Sequence, residues 1–188
     1  GLGDVYKRQI RNIQKHNFKN HDYEIILVDN NSQDISVKIA KKYTDNIINV
    51  TDFYPGKAIN EGIRASSGKY IAIISGHCIP KNNLWLEKLI EPLVNDETQL
   101  LAGVYGRQEP LSSSSALDKR DLTVVFGLDE RTQKKDSFFH NANSAIPRKI
   151  WNKFPFDEKT PSALPVPTAK TASITTVPLL ELVIVSSF

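Results

Sequence analysis

An α/β domain with a mostly parallel sheet flanked by helices is the fold class this sequence predicts, and three observations predict it. The apolar runs at 24–28 and 70–74 are short and nearly unbroken, as strands buried on both faces are. Segments of helical periodicity separate them, and crossovers of that length favour parallel pairing. Each run stops abruptly at small polar residues, Asp29-Asn30-Asn31-Ser32 after the first and Ser75-Gly76-His77-Cys78 after the second. Such residues set turn-formers and acceptors at a strand's carboxyl end, where open α/β sheets bind ligands. For 29–32 an Asx-type turn into a helix capped by Asp34 or Ser32 fits the same spacing.

In chain order, Gly1–Gln9 (GLGDVYKRQ) looks like translated adapter read-through and is set aside from fold reasoning as a non-native scar. Ile10, Ile13 and Phe18 suggest the tail of a helix. After the first strand, Val37, Ala40 and Tyr43 recur at helical spacing among lysines that stay in water. Residues 45–50 read as a second strand and Pro55-Gly56 as a turn. A helix follows, with Ala58, Ile59, Gly62 and Ile63 on one face, small enough to lie close to a sheet. Beyond the 70–74 strand, Leu86, Leu89, Ile90 and Leu93 mark an amphipathic helix with Pro92 at or near its end, and 100–105 is a fourth strand. Residues 117–126 are a candidate helix in a variable connection, and 129–136 is a solvated charge run. A last helix is expected with Pro147 in its first turn and Ile150, Trp151 and Phe154 facing inward. The domain is therefore taken as 10–160. Residues 161–188 are rich in Pro, Ser, Thr, Ala and Val, show no pattern that would dock on the domain, and are expected to be a disordered or non-native tail.

The totals restrict function. At 188 residues there is room for one such domain. A net charge of +3 suits anionic small molecules and is weak as a nucleic-acid signal. Cys78 is the single cysteine, so an intrachain disulfide is excluded, a reducing cytoplasm fits, and Cys78 itself is read as buried and inert. No apolar run approaches the roughly 20 residues that span a bilayer. The chain contains no Met, so it is expected to be a piece of a longer protein.

Three stretches, YEIILVDNNSQD (23–34), GKAINEGIRASSGKYIAIIS (56–75) and FFHNANSAI (138–146), occur in an order and spacing that resemble the family 2 glycosyltransferases. These are inverting, nucleotide-sugar-dependent enzymes, and the likeness runs from about Ile10 to Lys159. It implies the GT-A (Rossmann-like) fold, with the usual first strand missing here. It also implies a nucleotide-sugar donor, a glycan or lipid-linked acceptor, no nucleic acid, and a cytoplasmic setting that leaves peripheral association with the inner face of the membrane open. A dinucleotide-dependent oxidoreductase is disfavoured, because no Gly-x-Gly-x-x-Gly follows an expected strand.

Site residues follow from the same likeness. Asp29 matches the carboxylate that accepts from the nucleobase, a role suited to an acceptor-only charged group. Asn31 and Ser32 would support the ribose or hold the turn, while Lys57 and Asn60 match a Gly-Lys-x-x-Asn element near base and phosphates. Ser75-Gly76-His77 stands where the family carries Asp-x-Asp, so a divalent cation (Mg²⁺ or Mn²⁺) is doubtful, since those ions prefer oxygen ligands. His77 would ligate a softer metal, meet the diphosphate as a cation, or be structural. Asn141 and Asn143 match the acceptor side, and His140 would touch the diphosphate or pack beside Phe139. Phe156-Asp157-Glu158 matches a segment upstream of the family's catalytic base, but the Glu-Asp pair that should follow is absent, so no residue is assigned that role. The alternative function is a non-catalytic nucleotide-sugar-binding fragment.

Overall fold

The computed structural model describes residues 9, 11–12, 23–76, 78–112, 114–130, 132–133 and 138–160, together with the backbone of 181–186. Strands β1 (Tyr23–Asp29), β2 (Ile47–Asn49), β3 (Tyr70–Ser75), β4 (Val104–Tyr105), β5 (Asn143–Pro147) and β6 (Glu181–Ser186) form one sheet in the order β2-β1-β6-β3-β5-β4. Helices α1 (Ser36–Ala40), α2 (Pro55–Arg64), α3 (Trp85–Val94), α4 (Ala116–Phe126) and α5 (Arg148–Lys153) lie between the strands in sequence.

The sheet is mixed, which corrects the expectation of a mostly parallel one. β1 and β2 pair in parallel, but every other neighbouring pair is antiparallel. The cause is that β5 and β6 run against their neighbours. The four strands expected from the sequence, β1 to β4, do share one direction: β1 and β3 each oppose β6, and β3 and β4 each oppose β5. β6 lies in the interior between β1 and β3, so 181–186 docks where an undocked tail was expected. The alternation of strand side chains fills both faces, as the unbroken apolar runs require. Ile25, Leu27, Ala72 and Ile74 pack with Leu86, Leu89, Ile90 and Leu93 of α3. Ile26, Val28, Ile71 and Ile73 pack with Ala58, Ile59 and Ile63 of α2 on the other face.

α2 shows how closely helix and chain approach. Pro55 starts the helix at its first position instead of making a turn. A Cβ on Gly56 would run into the Asp157 carbonyl oxygen and lie 2.9 Å from its carbon, so only glycine admits the 156–157 backbone here. The last helix begins later than expected, because Pro147 ends β5 and precedes Arg148 as the N-cap. Phe154 is 52% exposed, against the expectation that it faces inward, because the helix ends at Lys153 before Phe154 reaches the core face.

Candidate functional site

The shared direction of β1 and β3 puts their carboxyl ends on one margin. Val28 and Ser75 both pair with Glu181, so the two ends stand level across β6. β2 ends beside Asp29 through the pair Asp29 and Asn49, and the chain then passes into α2. The three polar rims read from the sequence, 29–32, 55–60 and 75–80, therefore lie on the same side of the sheet.

Asp29 is 4% exposed, and both carboxylate oxygens accept from the Ser32 amide at 3.2 and 3.3 Å. The Asx-type turn is thus present, and Asn31 at its apex takes φ 53°, a left-handed geometry that asparagine tolerates. Asp34, one residue before the N-cap Ile35, accepts from the Ser36 amide at 2.9 Å, so neither it nor Ser32 is the cap expected for α1. A cavity of about 580 Å³ opens beside Asp29, lined also by Val37, Lys41, Asp45, Ile47 and Asn49. Lys41, Asp45 and Asn49 were missed by the sequence reading. The polar stop at Asn49 was a signal of the same kind as the one at Asp29, but the strand was read as running on to Val50.

Lys57, in the first turn of α2, is half-buried, with its ammonium 3.8 Å from the exposed Asp52 carboxylate. One turn further on, Asn60 is fully buried and its amide is committed inside the protein. Nδ2 donates to the Phe156 carbonyl at 2.8 Å and to Glu158 Oε1 at 2.9 Å. Oδ1 accepts from Trp151 Nε1 at 2.7 Å and from the Phe156 amide at 3.1 Å. All four bonds that a side-chain amide readily makes are formed, so Asn60 latches the 151–158 segment to α2 and is not presented to a nucleotide. The likeness implied a place near the nucleotide for this amide, and in the structure its bonds are all internal.

At the end of β3, Ser75 is buried; its amide donates to the Ala142 carbonyl at 3.0 Å, and its carbonyl accepts from the Cys78 amide at 2.9 Å and from Gln9 Nε2 at 2.8 Å. His77 lies outside the described residues. Cys78 is half-buried, not buried as expected, because it sits past the strand end. Its thiol donates to Gln108 Oε1 at 3.8 Å, and Gln108 Nε2 lies 2.9 Å from His140 Nδ1. His140 also packs edge-on against Phe126 with ring centroids 5.2 Å apart.

Asn143 is brought to the same margin, pairing with Ile74. Its Oδ1 accepts from Trp85 Nε1 at 2.8 Å, and its Nδ2 lies where a side chain on Gly106 would stand. That amide therefore braces α3 and the strand end. Asn141 is half-buried nearby, with its carbonyl accepting from Ser144 Oγ at 3.4 Å.

Among the described residues no group of three or more His, Cys, Asp or Glu side chains gathers to hold an ion, and Ser75 and Gly76 offer no carboxylate. Asp157 accepts from the Lys159 amide at 2.8 Å and from the Thr160 hydroxyl, and these bonds hold its pKa below the usual carboxylate range. Glu158 is likewise held low, first by the Arg64 guanidinium at 2.6 Å and then by Asn60. Carboxylates engaged in this way, with lowered proton affinity, suit a latch better than a general base.

Among the described residues no helix is long and apolar enough to cross a membrane. The chain is 32% identical over 120 residues to glycosyltransferase AglE of Haloferax volcanii, an alignment covering 61% of this chain and 39% of that protein. No solved structure matches. Residues 7–154 match the glycosyl transferase family 2 model, in agreement with the rims that β1, α2 and β3 carry to one margin. The chain belongs to glycosyl transferase family 2.

Proposed function

We propose that the chain is the donor-binding part of an inverting glycosyltransferase that moves a sugar from a nucleotide-sugar to a hydroxyl of a glycan or lipid-linked acceptor. Cell-surface polysaccharide synthesis is the setting we favour, with peripheral membrane contact through the acceptor. The observation that carries this reading is the levelling of β1 and β3 across β6, which gives Asp29, Lys57 and the 75–80 loop a common margin. In this reading Asp29 accepts from a base N–H, and Lys57 supplies positive charge towards the phosphates.

In the transfer, the acceptor oxygen attacks the anomeric carbon opposite the departing diphosphate. A new C–O bond forms as the bond to the nucleotide breaks, and the hydroxyl proton passes to a base. The role is not given to Asp157 or Glu158, which match a segment upstream of the base and whose hydrogen bonds lower their proton affinity. No described residue is given the role; the second reading is a nucleotide-sugar-binding piece without turnover.

Calorimetric titration with UDP, dTDP and GDP sugars beside a turnover assay separates the two. Binding with turnover supports transfer, binding alone supports the second reading, and no binding of any donor refutes both. Asp29→Asn is expected to weaken the best donor by about tenfold or more, from the loss of a charge-assisted hydrogen bond.

A further inference from the structure

The turn after β1 restricts what Asp29 can bind. Its two carboxylate oxygens lie 3.2 and 3.3 Å from one donor, the Ser32 amide, so that amide sits in the fork between them. A carboxylate offers about four lone-pair sites. The inward pair is taken by the Ser32 amide, and one outward site on each oxygen remains. The amide is held there by the turn whose apex, Asn31, takes φ 53°, and the carboxylate itself is 4% exposed. Two donors side by side need the open fork for a bidentate bond. A single N–H needs one outward site only.

The cavity of about 580 Å³ beside Asp29 supplies the remaining chemistry. Val37 and Ile47 give it an apolar wall suited to the face of a flat ring. The carboxylates of Asp29 and Asp45 outnumber the single ammonium of Lys41, so the wall disfavours a phosphate and suits the uncharged end of a nucleotide. Lys41 and the Asn49 amide carry N–H donors on the same wall. An edge that donates once and accepts on either side complements this set. Uracil and thymine present one ring N–H between two carbonyls. Guanine presents two adjacent donors, and cytosine and adenine present no ring N–H on that edge.

We propose that the Ser32 amide, by filling the Asp29 fork, makes this cavity selective for the edge of uracil or thymine over that of guanine, with Lys41 and Asn49 as donors to the two ring carbonyls. The assignment rests on the donor-binding reading above and narrows it to one class of donor. Selectivity thus comes from a backbone bond and two side chains on the α1 and β2 side of the cavity.

Calorimetric titration of the full chain with UDP, dTDP, dUDP, GDP and CDP tests it. UDP or dTDP is expected to bind about tenfold or more tighter than GDP and CDP. Comparison with dUDP tells whether the ring methyl or the ribose hydroxyl separates the two favoured ligands, and either preference supports the assignment. Asp29→Asn keeps one acceptor for the Ser32 amide and turns an N–H outward, which opposes the ring N–H of uracil and meets the bare ring nitrogen of cytosine. The CDP-to-UDP affinity ratio should rise about tenfold or more, whereas a merely structural role would weaken both alike. Lys41→Met and Asn49→Leu, at exposed positions, should each lower UDP affinity about threefold or more with GDP unchanged, and they carry the test should Asp29→Asn fold poorly. GDP bound as tightly as UDP and dTDP, or folded variants that leave these ratios unmoved, overturn the selectivity alone. A wild-type protein that binds no nucleotide overturns the donor-binding reading and this assignment with it.

Discussion

Replacing Asn60 by leucine separates a latch from a ligand contact. The substitution keeps the volume approximately and removes all four hydrogen bonds of the amide. The buried Phe156 amide and carbonyl then lose their partner, as does Trp151 Nε1, while Glu158 Oε1 keeps its bond from Arg64. Each buried group left unpaired costs about 1–3 kcal/mol. Two such groups give about 2–6 kcal/mol, and the added apolar burial of leucine returns up to about 2 kcal/mol. Mid-range values, about 4 less about 1 kcal/mol, leave a net destabilisation of about 3 kcal/mol, which corresponds to a fall in melting temperature of about 6–12 °C for a chain of this size. Urea unfolding followed by the fluorescence of Trp85 and Trp151, beside circular dichroism, reads it directly. A double-mutant cycle with Trp151→Phe should show a coupling of at least about 0.5 kcal/mol, because the two side chains share a bond. If Asn60→Leu unfolds within about 0.5 kcal/mol of wild type while nucleotide affinity collapses, the amide faces ligand and the latch is wrong.

Gly56→Ala should destabilise by about 1–3 kcal/mol despite the better helix propensity of alanine, since its Cβ meets the backbone of Asp157; a more stable variant in thermal unfolding would contradict the close approach. Glu158 has a lowered folded-state pKa, so its contribution to stability is present above the unfolded value near 4.3 and fades as pH falls through the folded value. The stability gap between wild type and Glu158→Gln should therefore close on acidification, and a gap that widens would reverse the assignment. Val183→Pro removes a ladder hydrogen bond from a strand paired on both sides and should cost about 3 kcal/mol or more; wild-type stability would show that β6 is dispensable.

What could be read from the sequence was local. Ile25 to Val28 and Ile71 to Ile74 announce buried strands because every residue is apolar, and the polar stops after them fix the margin. Ala58, Ile59, Gly62 and Ile63 show the buried face of α2 by their period alone. Roles set by distant partners were not legible. The Asn60 amide is committed to residues that follow it by some ninety positions, and the Asn143 amide to Trp85, so a motif match alone left both looking open to ligand. β5 escaped because Pro147 resembles a helix start, which it is, while also closing a strand. β6 escaped because its four-residue apolar run, Leu182–Val185, has no period to distinguish it within a Pro- and Thr-rich stretch. The bonds from Gln9 to the Ser75 and Cys78 carbonyls had no local signal, because their acceptors lie far along the chain.

The interior position of β6 means that the two halves of the sheet, β2-β1 and β3-β5-β4, have no direct ladder between them. Their alignment depends on contacts between residues far apart in sequence, the kind whose loop-closure entropy is met late in folding. Before 181–186 inserts, the half bearing Asp29 and the half bearing Ser75 can each form their own ladders while remaining free to slide or tilt against one another. Competence to hold a ligand with both halves should therefore appear in refolding only with the slowest phase, after most of the secondary structure has been regained.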